Sequence, residues 1–176
     1  CLMHVNNEMG AIQPLADALP ALKARAPRCV TLVDAVQSFT RLPMTPDAWE
    51  ADFVAVSGHK IGGPRGIGAL VARRRRPQPL VGGGEQEWGA RPGTENVPGA
   101  AGFAAAAEAA LARLDERQAH AQHLHDAFVA RLAERLPTAR ILGDPSHRLP
   151  WILSVAVERL PSEALLRGIE EQGVVV

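Results

Sequence analysis

Short apolar runs that end in polar or glycine residues alternate with a helical pattern through the first half of the chain. The runs cover residues 2–5, 29–33, 52–56 and 67–72. The helical pattern covers residues 14–26, where Leu15, Leu19 and Leu22 lie on one helix face. Apolar runs of this length, bounded by turn residues, predict buried strands. The strand–helix–strand order predicts an α/β fold with a mostly parallel sheet.

The second half of the chain has a different pattern. Residues 97–136 are rich in alanine and helical in spacing, and Pro137 follows directly. A pattern this long predicts a break within the helix, because globular helices seldom run so far. Short apolar runs and a last helical pattern then return. We therefore predict three regions: part of a large domain in 1–96, a connecting helical segment in 97–136, and the start of a small α/β C-terminal domain in 137–176.

Composition narrows the class of protein. The 19 Lys and Arg residues balance the 19 Asp and Glu residues, so no basic surface favours a nucleic-acid partner. No apolar stretch approaches the roughly 20 residues that a bilayer-spanning helix needs, so no membrane role is predicted. The two cysteines, Cys1 and Cys29, form no disulfide framework or metal-ligand spacing, and both are expected to be small buried residues. We predict a cytoplasmic protein without a metal site.

The candidate functional residues lie in three segments. Lys60 follows the run 52–56 within Ser57-Gly58-His59-Lys60, and a glycine-rich turn comes after it. An isolated lysine is usually a solvated surface residue, but a partly desolvated one beside another basic group suits Schiff-base formation with a carbonyl. Asp34 ends the run 29–33, so it should point into the crevice at the carboxyl ends of the strands. Residues 82–96 form a third, glycine-rich segment whose Arg, Thr and amide groups suit phosphate.

Four segments in order resemble the class V branch of the fold-type I pyridoxal-phosphate (PLP) enzymes, and within it the cysteine desulfurases. Their residues are Met3-His4-Val5-Asn6-Asn7-Glu8-Met9-Gly10, Val33-Asp34-Ala35-Val36-Gln37-Ser38, Ser57-Gly58-His59-Lys60 with Gly63-Pro64-Arg65-Gly66-Ile67-Gly68, and Gly82-Gly83-Gly84 through Gly93-Thr94-Glu95-Asn96. The resemblance is dense over residues 2–103. It implies PLP as the cofactor and assigns residues 1–96 to part of the PLP-binding large domain.

The resemblance also implies roles for individual residues. Lys60 resembles the lysine that binds PLP covalently and exchanges protons with the substrate, and Asp34 the acid beside the pyridine nitrogen. Gln37 and Asn7 resemble residues near the phenolic oxygen, although Asn6 competes with Asn7 for that role. Ser57 and His59 resemble phosphate ligands. Thr94 resembles the threonine that reaches the PLP phosphate of the other subunit, which implies a homodimer.

The implied activity is conversion of L-cysteine to L-alanine, with sulfur passed as a persulfide to an acceptor protein for iron–sulfur cluster or thio-cofactor synthesis. The family's nucleophilic cysteine and ring-stacking histidine have no counterpart here, so we expect a fragment that does not turn over cysteine by itself. Another class V enzyme, such as a selenocysteine lyase or an aminotransferase-like relative, is the alternative activity. A truncated non-catalytic paralogue and a nucleotide-binding module are the alternatives from other classes.

Overall fold

The computed structural model describes residues 1–44, 49–73 and 75–175. Its strands are β1 (Leu2–Met3), β2 (Leu32–Asp34), β3 (Phe53–Ser57), β4 (Gly68–Ala72), β5 (Arg140–Ile141) and β6 (Val155–Ala156). Its α-helices are α1 (Leu15–Arg25), α2 (Val97–Ala112), α3 (Leu114–Arg135) and α4 (Ser162–Glu170). Short 3₁₀ turns lie at Gly58–Ile61, Glu87–Gly89 and Pro145–His147.

The larger sheet has the strand order β1-β2-β3-β4. Strands β1, β2 and β3 are parallel, and β4 runs antiparallel to β3. This arrangement confirms the predicted α/β fold with a mostly parallel sheet. The predicted strand at 29–33 begins too early, because only Leu32–Asp34 pair with neighbouring strands and Val30 is half exposed. An apolar residue before a strand is therefore not evidence that the strand has begun.

The core of this sheet lies between β2, β3 and α1. Leu15 and Leu19 of α1 pack with Val33 of β2 and Val54 of β3, and all four are almost fully buried. Leu15 and Leu19 are four residues apart, which places them on one face of α1. Burying that face fixes α1 against the sheet, and the chain then returns parallel to β1.

The long helical pattern is divided at Arg113, which has non-helical backbone angles (φ −120°, ψ 23°) and separates α2 from α3. The predicted break is thus present. Strands β5 and β6 pair antiparallel in a second, two-stranded sheet, and α4 follows them. Within the described ranges, no helix is both long and apolar enough to cross a membrane.

A buried ion pair anchors the amino-terminal side of the sheet. The Lys23 ammonium donates to Asp52 Oδ2 at 2.6 Å and to the Cys29 carbonyl oxygen at 2.6 Å. The Thr31 amide and hydroxyl also donate to Asp52 Oδ2, at 2.8 and 3.1 Å. Burial alone raises the pKa of Asp52, but the hydrogen bonds from Lys23 and Thr31 outweigh it and hold the pKa at about 2.

Replacing Asp52→Asn should lower the free energy of unfolding of the intact gene product by about 2 kcal/mol, because it leaves Lys23 without its carboxylate. The folded pKa of Asp52 lies below the unfolded value, so its contribution is fully present above about pH 4 and is lost as the pH falls towards 2. Chemical denaturation at several pH values measures both effects, and the variant should lose stability less steeply between pH 4 and 2.

The exposed pair between Arg113 and Glu116 provides the control. Glu116→Gln should leave the free energy of unfolding nearly unchanged, because solvent screens exposed charges. Equal losses in the two variants would contradict the assignment of Asp52 as the anchoring charge.

Candidate active site

Three parallel strands end at one edge of the sheet and carry most of the predicted site residues. The register aligns Met3 with Asp34 and Asp34 with Ala55. Asn7 follows β1, Asp34 is the last residue of β2, and Lys60 lies on the 3₁₀ turn after β3. Because carboxyl ends of parallel strands converge on one edge, side chains there can reach a common ligand.

Asp34 is half-buried at the end of β2. Its Oδ1 accepts a hydrogen bond from the Val36 amide at 3.0 Å, so one oxygen supports the turn after the strand. No described residue donates to its other oxygen. The carboxylate can therefore stabilise the turn and still accept a proton or hydrogen bond from a ligand at the sheet edge.

The turn that carries Lys60 is closely packed around glycine. A Cβ at Gly58 would lie 2.9 Å from a methyl group of Ile67, and Gly62 ends the turn with a positive φ of 87°. Both positions suit glycine, which has no Cβ and tolerates positive φ. The turn thus fixes the position of Lys60, which is half-buried, just beyond β3.

The structure distinguishes the only two lysines in the sequence, Lys23 and Lys60. The Lys23 ammonium is held by Asp52 and by the Cys29 carbonyl oxygen. The Lys60 side chain makes no hydrogen bond or ion pair with any described residue. Since a nucleophilic amine must be unprotonated and accessible, Lys60 is the lysine that can react with a carbonyl compound.

Gln37 lies in the helical turns after β2 and is nearly buried, with 7% of its surface exposed. Arg41 NH1 donates to Gln37 Oε1 at 2.7 Å, and Arg41 NH2 donates to the Lys60 carbonyl oxygen at 3.0 Å. Arg41 therefore connects Gln37 to the main chain at Lys60. It has no signal in the sequence beyond its spacing of four from Gln37, which places both side chains on one face of helical turns.

Ser57 and His59 flank the lysine turn and contact each other, with 2.8 Å between Ser57 Oγ and His59 Nδ1. His59 is exposed and Ser57 is half-buried. Both groups can donate hydrogen bonds, which suits an anion such as a phosphate group. Their positions at the end of β3 are consistent with the predicted phosphate contacts.

The two adjacent asparagines after β1 have different environments. Asn6 Oδ1 accepts hydrogen bonds from the amides of Glu8 and Met9, at 2.9 and 2.8 Å. Asn6 therefore shapes its own turn, whereas Asn7 is exposed and makes no side-chain hydrogen bond within the described residues. Of the two, Asn7 is the one whose amide is free for a ligand.

The loop that carries these asparagines is held by the segment before β6. The Leu149 amide donates to the Gly10 carbonyl oxygen at 2.8 Å, and the Ile12 amide donates to the His147 carbonyl oxygen at 2.9 Å. Gly10 has a positive φ of 70°, and a Cβ there would lie 2.8 Å from the Ile152 carbonyl oxygen. The second half of the chain thus fixes one side of the site.

Thr94 lies in the exposed segment before α2. Asn96 ends that segment and caps α2, accepting a hydrogen bond from the Gly99 amide at 3.0 Å. No hydrogen bond joins Thr94 to the residues around Lys60 in the described part of the chain. The exposure of Thr94 leaves it free to contact another molecule.

The remaining sequence candidates need one correction. Cys1 is exposed and Cys29 is half-buried, so the expectation that both cysteines are buried is wrong. Cys29 is exposed further than expected because it precedes β2 instead of belonging to it. His4 is buried against Trp49, with ring centroids 4.6 Å apart, and burial lowers its pKa. Such a histidine is a neutral packing residue.

The grouped residues match the chemistry of PLP. A free amine, Lys60, suits the aldehyde, and the available Asp34 carboxylate suits the protonated pyridine nitrogen. Gln37 can offer an amide donor to the phenolic oxygen, while Ser57 and His59 can donate to phosphate. Across the ranges that the structure describes, no group of three or more His, Cys, Asp or Glu side chains is arranged to hold a metal ion.

Comparison with known proteins shows the family of the chain. The family model described as aminotransferase class-V matches residues 1–176. The chain therefore belongs to the aminotransferase class V family. Its relatives include a cysteine desulfurase of Gluconacetobacter diazotrophicus, 41% identical over 98% of this chain. Another is a cysteine desulfurase of Cereibacter sphaeroides, 39% identical over 99% of this chain.

Solved structures give the same result for the fold. A NifS-like protein superposes with a TM-score of 0.92 at 35% identity, covering 99% of this chain and 48% of that protein. DndA from Streptomyces lividans superposes with a TM-score of 0.81 at 38% identity, covering 97% of this chain and 49% of that protein. The chain spans only 43% and 44% of the lengths of the two relatives named above.

Proposed function

We propose that this chain forms the PLP-binding part of a cysteine desulfurase. The observation that carries the proposal is the arrangement at the sheet edge, where an unpaired Lys60 amine and an available Asp34 carboxylate follow adjacent parallel strands. Lys23, the other lysine, is occupied by Asp52. This pairing of a free amine with a free acid is what PLP requires at its two ends.

Each residue at the edge has a defined task in this proposal. Lys60 attaches the cofactor and then moves a proton at the α-carbon of the substrate. Asp34 keeps the pyridine nitrogen protonated, while Gln37 and Asn7 hold the phenolic oxygen. Ser57 and His59 bind the phosphate. The bound cofactor supplies a ring that stabilises negative charge developed at the substrate α-carbon.

The proposed substrate is L-cysteine. Its carbon–sulfur bond breaks, a cysteine thiolate takes the sulfur as a persulfide, and the remaining carbon skeleton gains protons and leaves as L-alanine. The relatives described above are named cysteine desulfurases, which favours this substrate over selenocysteine and over an amino-group acceptor. A sulfur-acceptor protein would then draw on the persulfide.

Neither cysteine of the chain is placed to act as the thiolate. Cys1 precedes β1, and Cys29 lies before β2, so both are at the amino ends of strands, away from the edge that carries Lys60. We therefore assign the thiolate to a residue outside these 176 residues, in a complete protein about as long as its relatives. The 176 residues alone should not turn over cysteine.

The same proposal covers the organisation of the complete protein. Residues 1–96 form part of the PLP-binding large domain, 97–136 are the connecting helices, and 137–176 begin the small C-terminal domain. The exposed Thr94 would reach the PLP phosphate of a second subunit in a cytoplasmic homodimer. A site shared in this way would be complete only in the dimer.

Reduction of the PLP-loaded intact gene product with borohydride, followed by digestion and mass spectrometry, tests the lysine assignment. The pyridoxyl adduct should map to the peptide that contains Lys60, because Lys23 is held in an ion pair. Lys60→Ala should abolish both the adduct and the near-visible absorption band while retaining the fold. An adduct on another lysine, or no adduct, would refute the proposed function.

Mixed dimers test the position of Thr94. Thr94→Ala and Lys60→Ala subunits should each be inactive or strongly impaired as homodimers. If Thr94 serves the partner's site, a mixed dimer contains one site with both Lys60 and Thr94 intact. Co-expression with two affinity tags should then recover about half the activity per dimer. No recovery would mean that Thr94 acts within its own chain or not at all.

A further inference from the structure

Arg41 follows the buried Thr40 and contacts the turn that carries Lys60. Its guanidinium is half-buried and spans two site residues, donating to Gln37 Oε1 at 2.7 Å and to the Lys60 carbonyl oxygen at 3.0 Å. Its own carbonyl oxygen accepts from Gln118 Nε2 of α3 at 2.7 Å. Arg41 is therefore held at both its main chain and its side chain.

The contact with Gln37 determines which way that amide faces. A guanidinium can only donate hydrogen bonds, so the amide atom beside Arg41 has to be the oxygen. The nitrogen of the same amide then points away from Arg41, and it donates to no other described residue. Gln37 can therefore offer only a donor to a ligand, and the charged partner strengthens that donor by polarising the amide.

The charge of Arg41 is not neutralised locally. No carboxylate in the described ranges forms an ion pair with it, and Arg117 of α3 lies near enough to repel it. Burial, followed by the charge of Arg117, lowers the pKa of Arg41 below its usual range, yet arginine remains protonated under physiological conditions. A positive charge therefore persists behind Gln37, beside the main chain of Lys60.

We propose that Arg41 is a positioning residue that fixes Gln37 as a donor and holds the Lys60 main chain, so that the site selects an anionic oxygen beside the Lys60 amine. This inference rests on the proposed function, in which that oxygen is the phenolic oxygen of PLP. In this role Arg41 contacts Gln37 and Lys60, and it affects a ligand only through them. It acts by fixing the orientation of the Gln37 amide and the position of the turn that carries Lys60.

The test uses the PLP-loaded intact gene product and follows the near-visible absorption band as a function of pH. A donor to the anionic oxygen stabilises the deprotonated form of the chromophore, so Arg41→Met should raise the pH midpoint by about one unit. The dissociation constant for PLP, measured by fluorescence titration of the apoprotein, should rise about tenfold. Arg41→Lys keeps the charge but not the planar fork, and it should restore only part of each effect.

Gln118→Leu is the matched control. It removes one hydrogen bond to the main chain of Arg41 but leaves both guanidinium contacts and all charges in place. Its pH midpoint should equal that of the unsubstituted protein. An unchanged midpoint in Arg41→Met, or an equal shift in Gln118→Leu, would overturn the inference while leaving the adduct on Lys60 intact. Failure of every form to develop the band would overturn the proposed function as well.

Discussion

The parallel pairing of β1, β2 and β3 is the constraint on which the site depends. It aligns Met3, Asp34 and Ala55 across the sheet, so the residues that follow each strand emerge at one edge. Asn7, Asp34 and Lys60 are distant in sequence, and that register places all three at the carboxyl ends of adjacent strands or just beyond them. A shift of one residue in β2 would turn Asp34 to the other face of the sheet, because side chains alternate along a strand.

Two cations near this sheet, Lys23 and Arg41, have different electrostatic roles. Lys23 neutralises Asp52 at the amino-terminal side, where a buried carboxylate would otherwise be unfavourable. Arg41 has no such acid partner in the described residues, and its donors go to an amide oxygen and a carbonyl oxygen beside the site. The charge of Lys23 is thus neutralised within the fold, whereas the charge of Arg41 remains available to influence a ligand. The main-chain carbonyl of Lys60 contacts this second cation, Arg41.

Much of this arrangement could be predicted from local sequence. Apolar runs located the four strands of the larger sheet, and they placed Asp34 and Lys60 at the ends of adjacent strands, where the structure has them. The start of β2 was misplaced because Cys29 and Val30 are apolar but precede the strand. Exposure of Cys1 was missed for the same reason, since an apolar pattern does not show which neighbours cover it.

Contacts between distant segments could not be predicted in this way. Nothing in the local pattern indicates that Arg41 contacts the Lys60 carbonyl. The hydrogen bond from the Leu149 amide to the Gly10 carbonyl oxygen likewise joins residues far apart in sequence. Such contacts depend on how the elements pack, and packing is fixed by the whole core.

A crystal structure of the intact gene product with PLP bound would test directly whether Lys60 and Asp34 contact the same ring. We expect one ring beyond the carboxyl ends of β2 and β3, with its pyridine nitrogen about 3 Å from an Asp34 carboxylate oxygen and its aldehyde carbon joined to Lys60 Nζ. A ring bound elsewhere, or bound to Lys60 with its nitrogen turned away from Asp34, would contradict the account.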